Sequence, residues 1–283
     1  MNIELLFSRW NDCELLDTGD RLKLERFGDA IVIRSEPKAW WAKSKPALWK
    51  NAAARYLDDD KKNSGWEFYK KINAPILDFN GVKFATKFMD GSKHLGVFPE
   101  QSPHWEFIAK RGAERKGAKL LNLFGYTGAA SLVAAQAGYA VTHVDASKPS
   151  VEWARKNQEL SGLADRPIRW MIDDALKFVQ REVRRGTKYD AIVLDPPAFG
   201  RGPKNELWKL ERMLPELLDA CKNILSDNPL FVIMTLYSID ASSIMAANML
   251  ASYFPKLKIS CGELALPSDN FNLPLSLWAI AQA

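Results

Sequence analysis

Three segments of this 283-residue chain carry side chains that chemistry would use. The first reads Asp195-Pro196-Pro197-Ala198-Phe199-Gly200-Arg201-Gly202. Two prolines fix their φ angles and remove two backbone donors. The carbonyls beside the Asp195 carboxylate then form a stiff cluster of acceptors. An exocyclic amine held there would present its lone pair for in-line attack, with proximity supplying much of the rate. Phe199 would stack on a flat base, and Arg201 and Lys204 would touch phosphates. In isolation the octapeptide also reads as a rigid turn at a strand end.

The second segment, Phe124-Gly125-Tyr126-Thr127-Gly128, follows an apolar run and precedes small residues from Ala129 to Ala137. That pattern is a strand, a tight turn and a helix start. Glycines there let the backbone approach a ligand, and free amides at a helix start favour polar or anionic groups. The third is Asp145, which ends A-V-T-H-V-D 20 residues after Gly125. This spacing sets a carboxylate on a ribose. Asp is also favoured as a helix N-cap, and both roles can hold at once. Asp173-Asp174-Ala175 closes a further run. Asp174, next to the helix start, would accept from an adenine amine, and Asp173 would serve as the cap. In this order and spacing the segments point to a nucleotide-like cofactor site. The G-x-G-x-x-G of dinucleotide enzymes is absent, so no diphosphate needs cradling.

The elements that must position these residues alternate from about residue 106 onward. Strands are expected at 120–124, 140–145, 168–173, 189–195, 230–236, 257–266 and 275–281. Helices are expected between the first six, at 127–137, 149–161, 175–185, 205–225 and 241–253. Such alternation predicts an α/β fold, a doubly wound and mostly parallel sheet with helices on both faces. The last two strands are joined by only 267–274, which suits a hairpin and makes the final strand antiparallel. Seven strands with a terminal antiparallel hairpin fit the class I S-adenosylmethionine-dependent methyltransferase sheet better than a plain dinucleotide-binding fold. Up to about residue 105, turn signals separate short strand-like runs such as 30–33 and 82–85. The expected organisation is therefore a small β-rich domain at 1–105 and a cofactor domain at 106–283. Six of the ten tryptophans fall in the first part. Most would fill its core, while Trp40 or Trp41, beside Lys38, Lys43 and Lys45, would offer nucleic acid a stacking surface. The charged run 58–62, followed by Asn63-Ser64-Gly65, reads as a solvated loop.

The hydrophobic share of 47% and charged share of 26% are those of an ordinary globular protein. No apolar stretch approaches a membrane span, and the first residues do not read as a signal peptide. Three widely spaced cysteines argue against a disulfide framework and suit a cytoplasmic location. His94, His104 and His143 lack ligand spacing, so no metal is expected. A net charge of +5 permits a polyanionic partner without requiring one.

Six segments carry a resemblance: E-L-L-D-T-G-D at 14–20, L-E-R-F-G at 24–28, K-H-L-G-V-F-P-E-Q at 93–101, L-N-L-F-G-Y-T-G at 121–128, V-D-A-S at 144–147 and the octapeptide at 195–202. On these the chain resembles class I methyltransferases of the large-subunit ribosomal RNA cytosine-C5 type. It resembles still more their less studied relatives, known only as S-adenosylmethionine-dependent methyltransferases. The resemblance implies that Phe124, Gly125, Thr127, Gly128, Asp145, Ala146, Asp174 and Asp195 line the S-adenosylmethionine site. Tyr126 in the turn and Ala175 at the helix start belong to the same set. It also implies that the segment at 98–101, with Gln101, folds over that site from the N-terminal side.

Two departures stand out. Cytosine-C5 enzymes attack the base with a cysteine thiolate, which in that family sits just after the fifth strand. The corresponding residues here are Thr235-Leu236-Tyr237-Ser238. Amine methyltransferases usually carry the aromatic directly after the second proline, and here Phe199 comes one residue later. The expectation is direct methyl transfer to a nitrogen or oxygen of structured RNA, ribosomal RNA foremost. Asp195, Pro196 and Pro197 would hold the nucleophile, and Phe199 or Tyr237 would pack against it. The alternatives are a small-molecule or protein methyltransferase, and a non-catalytic RNA-binding module that keeps the cofactor pocket. Two basic clusters favour RNA or are simply solvated helix faces: Lys110, Arg111, Arg115, Lys116 and Lys119, and Arg181, Arg184, Arg185 and Lys188.

Overall fold

The structure, a computed structural model, describes residues 2–58, 64–237 and 239–283. Most of the expected charged loop, at 59–63, and Ser238 lie outside the described residues. The chain forms two compact units, one of Met1–Leu6, His104–Leu264 and Ser276–Ala283, the other of Phe7–Pro103 and Ala265–Leu275.

After strand β1 (Ile3–Phe7), the second unit begins with β2 (Cys13–Gly19), β3 (Leu22–Phe27), β4 (Ala30–Ser35), β5 (Ala54–Leu57) and β6 (Gly65–Phe68), which form one sheet in that order. The hairpin β7 (Ile76–Phe79) and β8 (Val82–Ala85) follows. A buried ion group ties the middle of the sheet. The Arg34 guanidinium donates to both Glu25 carboxylate oxygens, at 2.7 and 2.8 Å, and Lys23 lies 3.6 Å away. Burial alone would raise the Glu25 pKa, but Arg34 and Lys23 outweigh it and hold it at about 2. Trp10 is buried edge-on against Phe79 and Phe84. Trp41 packs on the core of Leu15, Ala39 and Leu273, whereas Trp40 is 79% exposed.

The other unit continues with helix α1 (Ser102–Glu114), β9 (Lys119–Leu123), α2 (Ala129–Gln136), β10 (Ala140–Asp145), α3 (Lys148–Leu160), β11 (Ile168–Ile172) and α4 (Ala175–Arg184). Then come β12 (Ala191–Leu194), the short pair β13 (Phe199–Arg201) and β14 (Leu207–Lys209), and α5 (Leu210–Ile224). The chain ends with β15 (Phe231–Tyr237), α6 (Ser243–Tyr253), β16 (Lys258–Leu266) and β17 (Leu273–Gln282). The sheet order is β1-β16-β17-β15-β12-β9-β10-β11. β9 to β12 and β15 pair in parallel, and β17 runs antiparallel to β15. The sheet thus has eight strands, the seven expected plus β1 at the edge. Successive residues face opposite sides of a strand, and both sides are covered. Leu121, Ile192 and Val232 pack with Phe178 of α4, Leu217 of α5 and Leu250 of α6. Leu120, Val193 and Ile233 pack with Ile108 of α1 and Ala134 of α2. From β9 the chain steps outward to β10 and β11, then returns to β12 on the other side of β9. That reversal leaves a crevice outside the carboxyl ends of β9 and β12, where open α/β sheets bind their ligands.

Candidate active site

The carboxyl ends of the central strands are level. Leu123 is in register with both Val144 and Leu194, and Asp145 with Ile172. All three sequence segments therefore open onto one edge of the sheet. At Leu123 the chain turns sharply: Phe124 and Tyr126 adopt φ of 58° and 49°, although neither is glycine. Each such residue costs of order 1–3 kcal/mol, and such strain clusters at ligand sites. The turn is fixed by donation from the Gly125 amide to the Val144 carbonyl at 3.1 Å and from the Tyr126 amide to Asp145 Oδ2 at 2.8 Å. Gly128, at φ 89°, then starts α2.

Both glycines are required by the chain's own packing. A Cβ on Gly125 would lie 2.4 Å from His143 Cε1, and one on Gly128 would lie 2.8 Å from Ala154 Cβ. Beneath the turn, Asn122 Nδ2 donates to Ser131 Oγ at 2.9 Å, and Ser131 Oγ lies 2.9 Å from His143 Nδ1. Burial pushes the His143 pKa down to about 3, so the ring is neutral. These three buried supports escaped the sequence reading. The available signal was a polar residue in the middle of each strand, since Asn122 and His143 are direct cross-strand neighbours.

Asp145 is not the cap of α3. That role falls to Ser147, whose Oγ accepts from the Ser150 amide at 3.3 Å. Asp145 Oδ1 accepts instead from the Ser147 amide at 2.8 Å. Burial raises the Asp145 pKa, and its two backbone donors, Ser147 and Tyr126, oppose the shift. Ala146 follows it, half-buried. Thr127 is buried, and its carbonyl accepts from Asn157 Nδ2 at 3.1 Å.

At the end of β11 the cap falls to Asp174, where the sequence pointed to Asp173. Asp174 is the cap, accepting from the Lys177 amide at 2.9 Å, because its backbone is extended where the helix begins. Asp173 instead forms an ion pair with Arg181. Ala175 is the buried first residue of α4.

The Asp195 amide donates to the Leu123 carbonyl at 3.4 Å, which holds this carboxylate's residue beside the glycine turn. Beyond it the structure differs from expectation. Instead of a helix from 205, the chain forms the β13–β14 hairpin, with Gly200 opposite Trp208. Trp208 is 3% exposed, its ring lies 4.9 Å from that of Phe124, and its Nε1 donates to the Pro197 carbonyl at 2.7 Å. The Pro197 carbonyl therefore has a partner within the protein, where the sequence had assigned it to the reactant. Phe199 is 57% exposed. Tyr237 closes β15, half-buried.

Gln101 belongs to the other unit, where it is buried in the turn Pro99–Gln101. Both basic clusters are largely solvent-exposed, Lys110, Lys116, Lys119, Arg184, Arg185 and Lys188 among them, although several members have partners. Arg111 pairs with Glu114 and Arg115 with Asp190, while Lys188 donates to the Asn223 carbonyl. Arg181 holds Asp173, and Arg185 pairs with Glu182. Cys13, Cys221 and Cys261 are buried, and burial pushes the Cys221 thiol up to about 12. Among the described residues no helix is long and apolar enough to cross a membrane, and no three His, Cys, Asp or Glu residues are grouped to hold a metal ion.

A sheet of this order, with a strained glycine turn and carboxylates along its edge, defines a doubly wound nucleotide-cofactor fold. Residues 51–235 match the family described as S-adenosylmethionine-dependent methyltransferase. The solved structure of the SAM-dependent methyltransferase from Agrobacterium tumefaciens is 41% identical, with a TM-score of 0.95 over 100% of this chain and 93% of that one. A methyltransferase structure from Streptococcus mutans shares the fold at 20% identity, with a TM-score of 0.75 over 97% of this chain and 76% of that one. Ribosomal RNA large subunit methyltransferase K of Neisseria meningitidis is 30% identical over 75% of this chain, which spans 62% of that protein's length. Ribosomal RNA large subunit methyltransferase I of Aeromonas salmonicida is 30% identical over 74% of this chain, which spans 48% of it. The chain belongs to the S-adenosylmethionine-dependent methyltransferase family.

Proposed function

We propose that this protein methylates RNA in the cytoplasm, ribosomal RNA foremost, at a nitrogen or oxygen atom and without a covalent enzyme intermediate. The observation that carries the reading is the row of carboxylates Asp145, Asp174 and Asp195 at the ends of β10, β11 and β12, flanking the strained turn. This set suits a cationic cofactor that brings hydroxyl and amine donors, and it is unsuited to a diphosphate. S-adenosylmethionine supplies an activated methyl group on a sulfonium, and no metal is needed for that chemistry. Asp145, preset by two amides, would accept from the ribose hydroxyls. Asp174 and Ala175 would meet the adenine. The turn from Phe124 to Gly128, with Ala146, would hold the remainder, and Gln101 keeps the role that the resemblance implies for it.

Asp195 and the Pro196 carbonyl would orient the acceptor, with Phe199 or Tyr237 against the base. The 1–105 part is assigned to substrate recognition or to a lid. A thiolate mechanism lacks support here, because the Cys221 thiol is buried and far from ionising at neutral pH. The relatives named as ribosomal RNA methyltransferases support RNA as the acceptor. A second reading, a small-molecule or protein acceptor, is favoured by the ion pairs that Arg111, Arg115 and Arg185 make with neighbouring carboxylates.

The test compares modified nucleosides by mass spectrometry in total RNA from cells with and without the gene. Loss of one methylated nucleoside other than 5-methylcytidine supports the proposal. Loss of 5-methylcytidine would contradict the non-covalent chemistry, and an unchanged profile would move the acceptor to a small molecule or protein.

A further inference from the structure

The β13–β14 hairpin has two unlike faces. Its register, Phe199 with Lys209, Gly200 with Trp208 and Arg201 with Leu207, fixes which side chains share a side. One face carries Trp208, pinned to Pro197 and Phe124. Glu206 belongs to that side and pairs with Lys177 at 2.7 Å. The opposite face presents Phe199, Arg201, Leu207 and Lys209, all exposed, with the two apolar residues at 57% and 46%. Within 199–209 the only carboxylate is Glu206, set against Arg201, Lys204 and Lys209. The strip is therefore cationic and aromatic, and it begins four residues after Asp195.

We propose that this outward face docks an unpaired, single-stranded segment of RNA, with Phe199 stacking on a base and Arg201 and Lys209 on phosphates. The proposal rests on RNA being the acceptor. Charge complementarity selects a polyanion, and a lone exposed ring between cations suits a base whose face is free. In a duplex those faces are stacked away. The hairpin is also a rigid platform. The Gly202 amide donates to the Glu206 carbonyl at 2.8 Å, and the Leu210 amide to the Ala198 carbonyl at 3.1 Å. An RNA base held on it would lie next to the Asp195 segment without rearrangement of the protein.

The test is fluorescence anisotropy with a short, labelled, mixed-sequence single-stranded RNA, and with the same RNA annealed to its complement. Wild-type protein is expected to prefer the single strand. Phe199→Ala should weaken binding roughly tenfold, the scale of one lost base stack. Arg201→Gln with Lys209→Gln should lower the slope of log affinity against log salt by about 1.4, two phosphate contacts' worth. Leu207→Glu, which places a carboxylate in the strip, should weaken binding as well. Calorimetry with S-adenosylhomocysteine checks that each variant keeps its cofactor site. If the variants bind single-stranded RNA as wild type does, or if the duplex binds as tightly, the strip is not the docking surface. If wild type binds the cofactor product but neither RNA, the RNA reading itself fails and takes this inference with it.

Discussion

Asp145 is the side chain proposed to receive the ribose hydroxyls of the cofactor. Two backbone amides hold its oxygens while burial raises its pKa, so the carboxylate is aimed before any ligand arrives. Asp145→Asn keeps the shape and removes the charged acceptor. Hydrogen bonds to charged groups contribute about 1.5–3 kcal/mol, so affinity for S-adenosylhomocysteine should fall roughly tenfold to a hundredfold by calorimetry; unchanged affinity would refute the role. Trp208 braces the segment proposed to hold the acceptor, because one side chain touches both Phe124 and the Pro197 carbonyl. Trp208→Phe keeps the ring and loses the N–H. Unfolding stability should drop by about 1 kcal/mol. Methyl transfer should fall further than cofactor affinity does, since the freed carbonyl no longer fixes the Asp195 segment.

At the scale of the elements, the β9 turn is the decisive piece. Gly125 has the His143 ring directly beneath it, so Gly125→Ala forces overpacking. The expected loss is about 1–3 kcal/mol in a denaturant titration, even though alanine is the smallest substitution. The imidazoles add a pH dependence. His94, His104 and His143 are each depressed to about 3 from 6.5, in each case first by burial. Below pH 6.5 the unfolded chain takes up protons that the folded chain refuses. Their contribution to stability is thus complete above pH 6.5 and is lost progressively as the pH falls towards 3. Urea midpoints should decline across that window, and His143→Gln should flatten the decline.

The glycine turn was legible in the sequence because its spacing and residue types are local. The hairpin was not. Residues 205–225 carry a helix pattern that truly begins only at Leu210, and the partners that settle Trp208 are Pro197 and Phe124. Strand β1 was equally hidden, since its place in the sheet beside β16 depends on a distant glycine. A Cβ on Gly262 would lie 1.6 Å from the Glu4 carbonyl oxygen. Caps went to Ser147 and Asp174, which propensity alone does not separate from their aspartate neighbours.

For the molecule as a whole, each unit has a buried carboxylate paired with arginine, Glu25 in one and Glu182 in the other. The buried Glu25–Arg34–Lys23 group lies in the unit of Phe7–Pro103 and Ala265–Leu275. Glu25 is depressed to about 2 from 4.5, so its contribution is present above pH 4.5 and lost as pH falls towards 2. Glu25→Gln leaves Arg34 buried without its carboxylate and should cost about 3–5 kcal/mol. The loss should show as a separate, earlier unfolding step in hydrogen exchange confined to that unit.

Methyl transfer to RNA is proposed at the sheet edge where β9 and β12 meet. The most direct measurement supplies purified protein with S-adenosylmethionine carrying a tritiated methyl group, and with total RNA from cells lacking the gene. Label should enter that RNA, but not RNA from wild-type cells, whose sites are already filled. Asp195→Ala should abolish incorporation while still binding RNA. Absence of label from wild-type protein that binds S-adenosylhomocysteine would contradict the account.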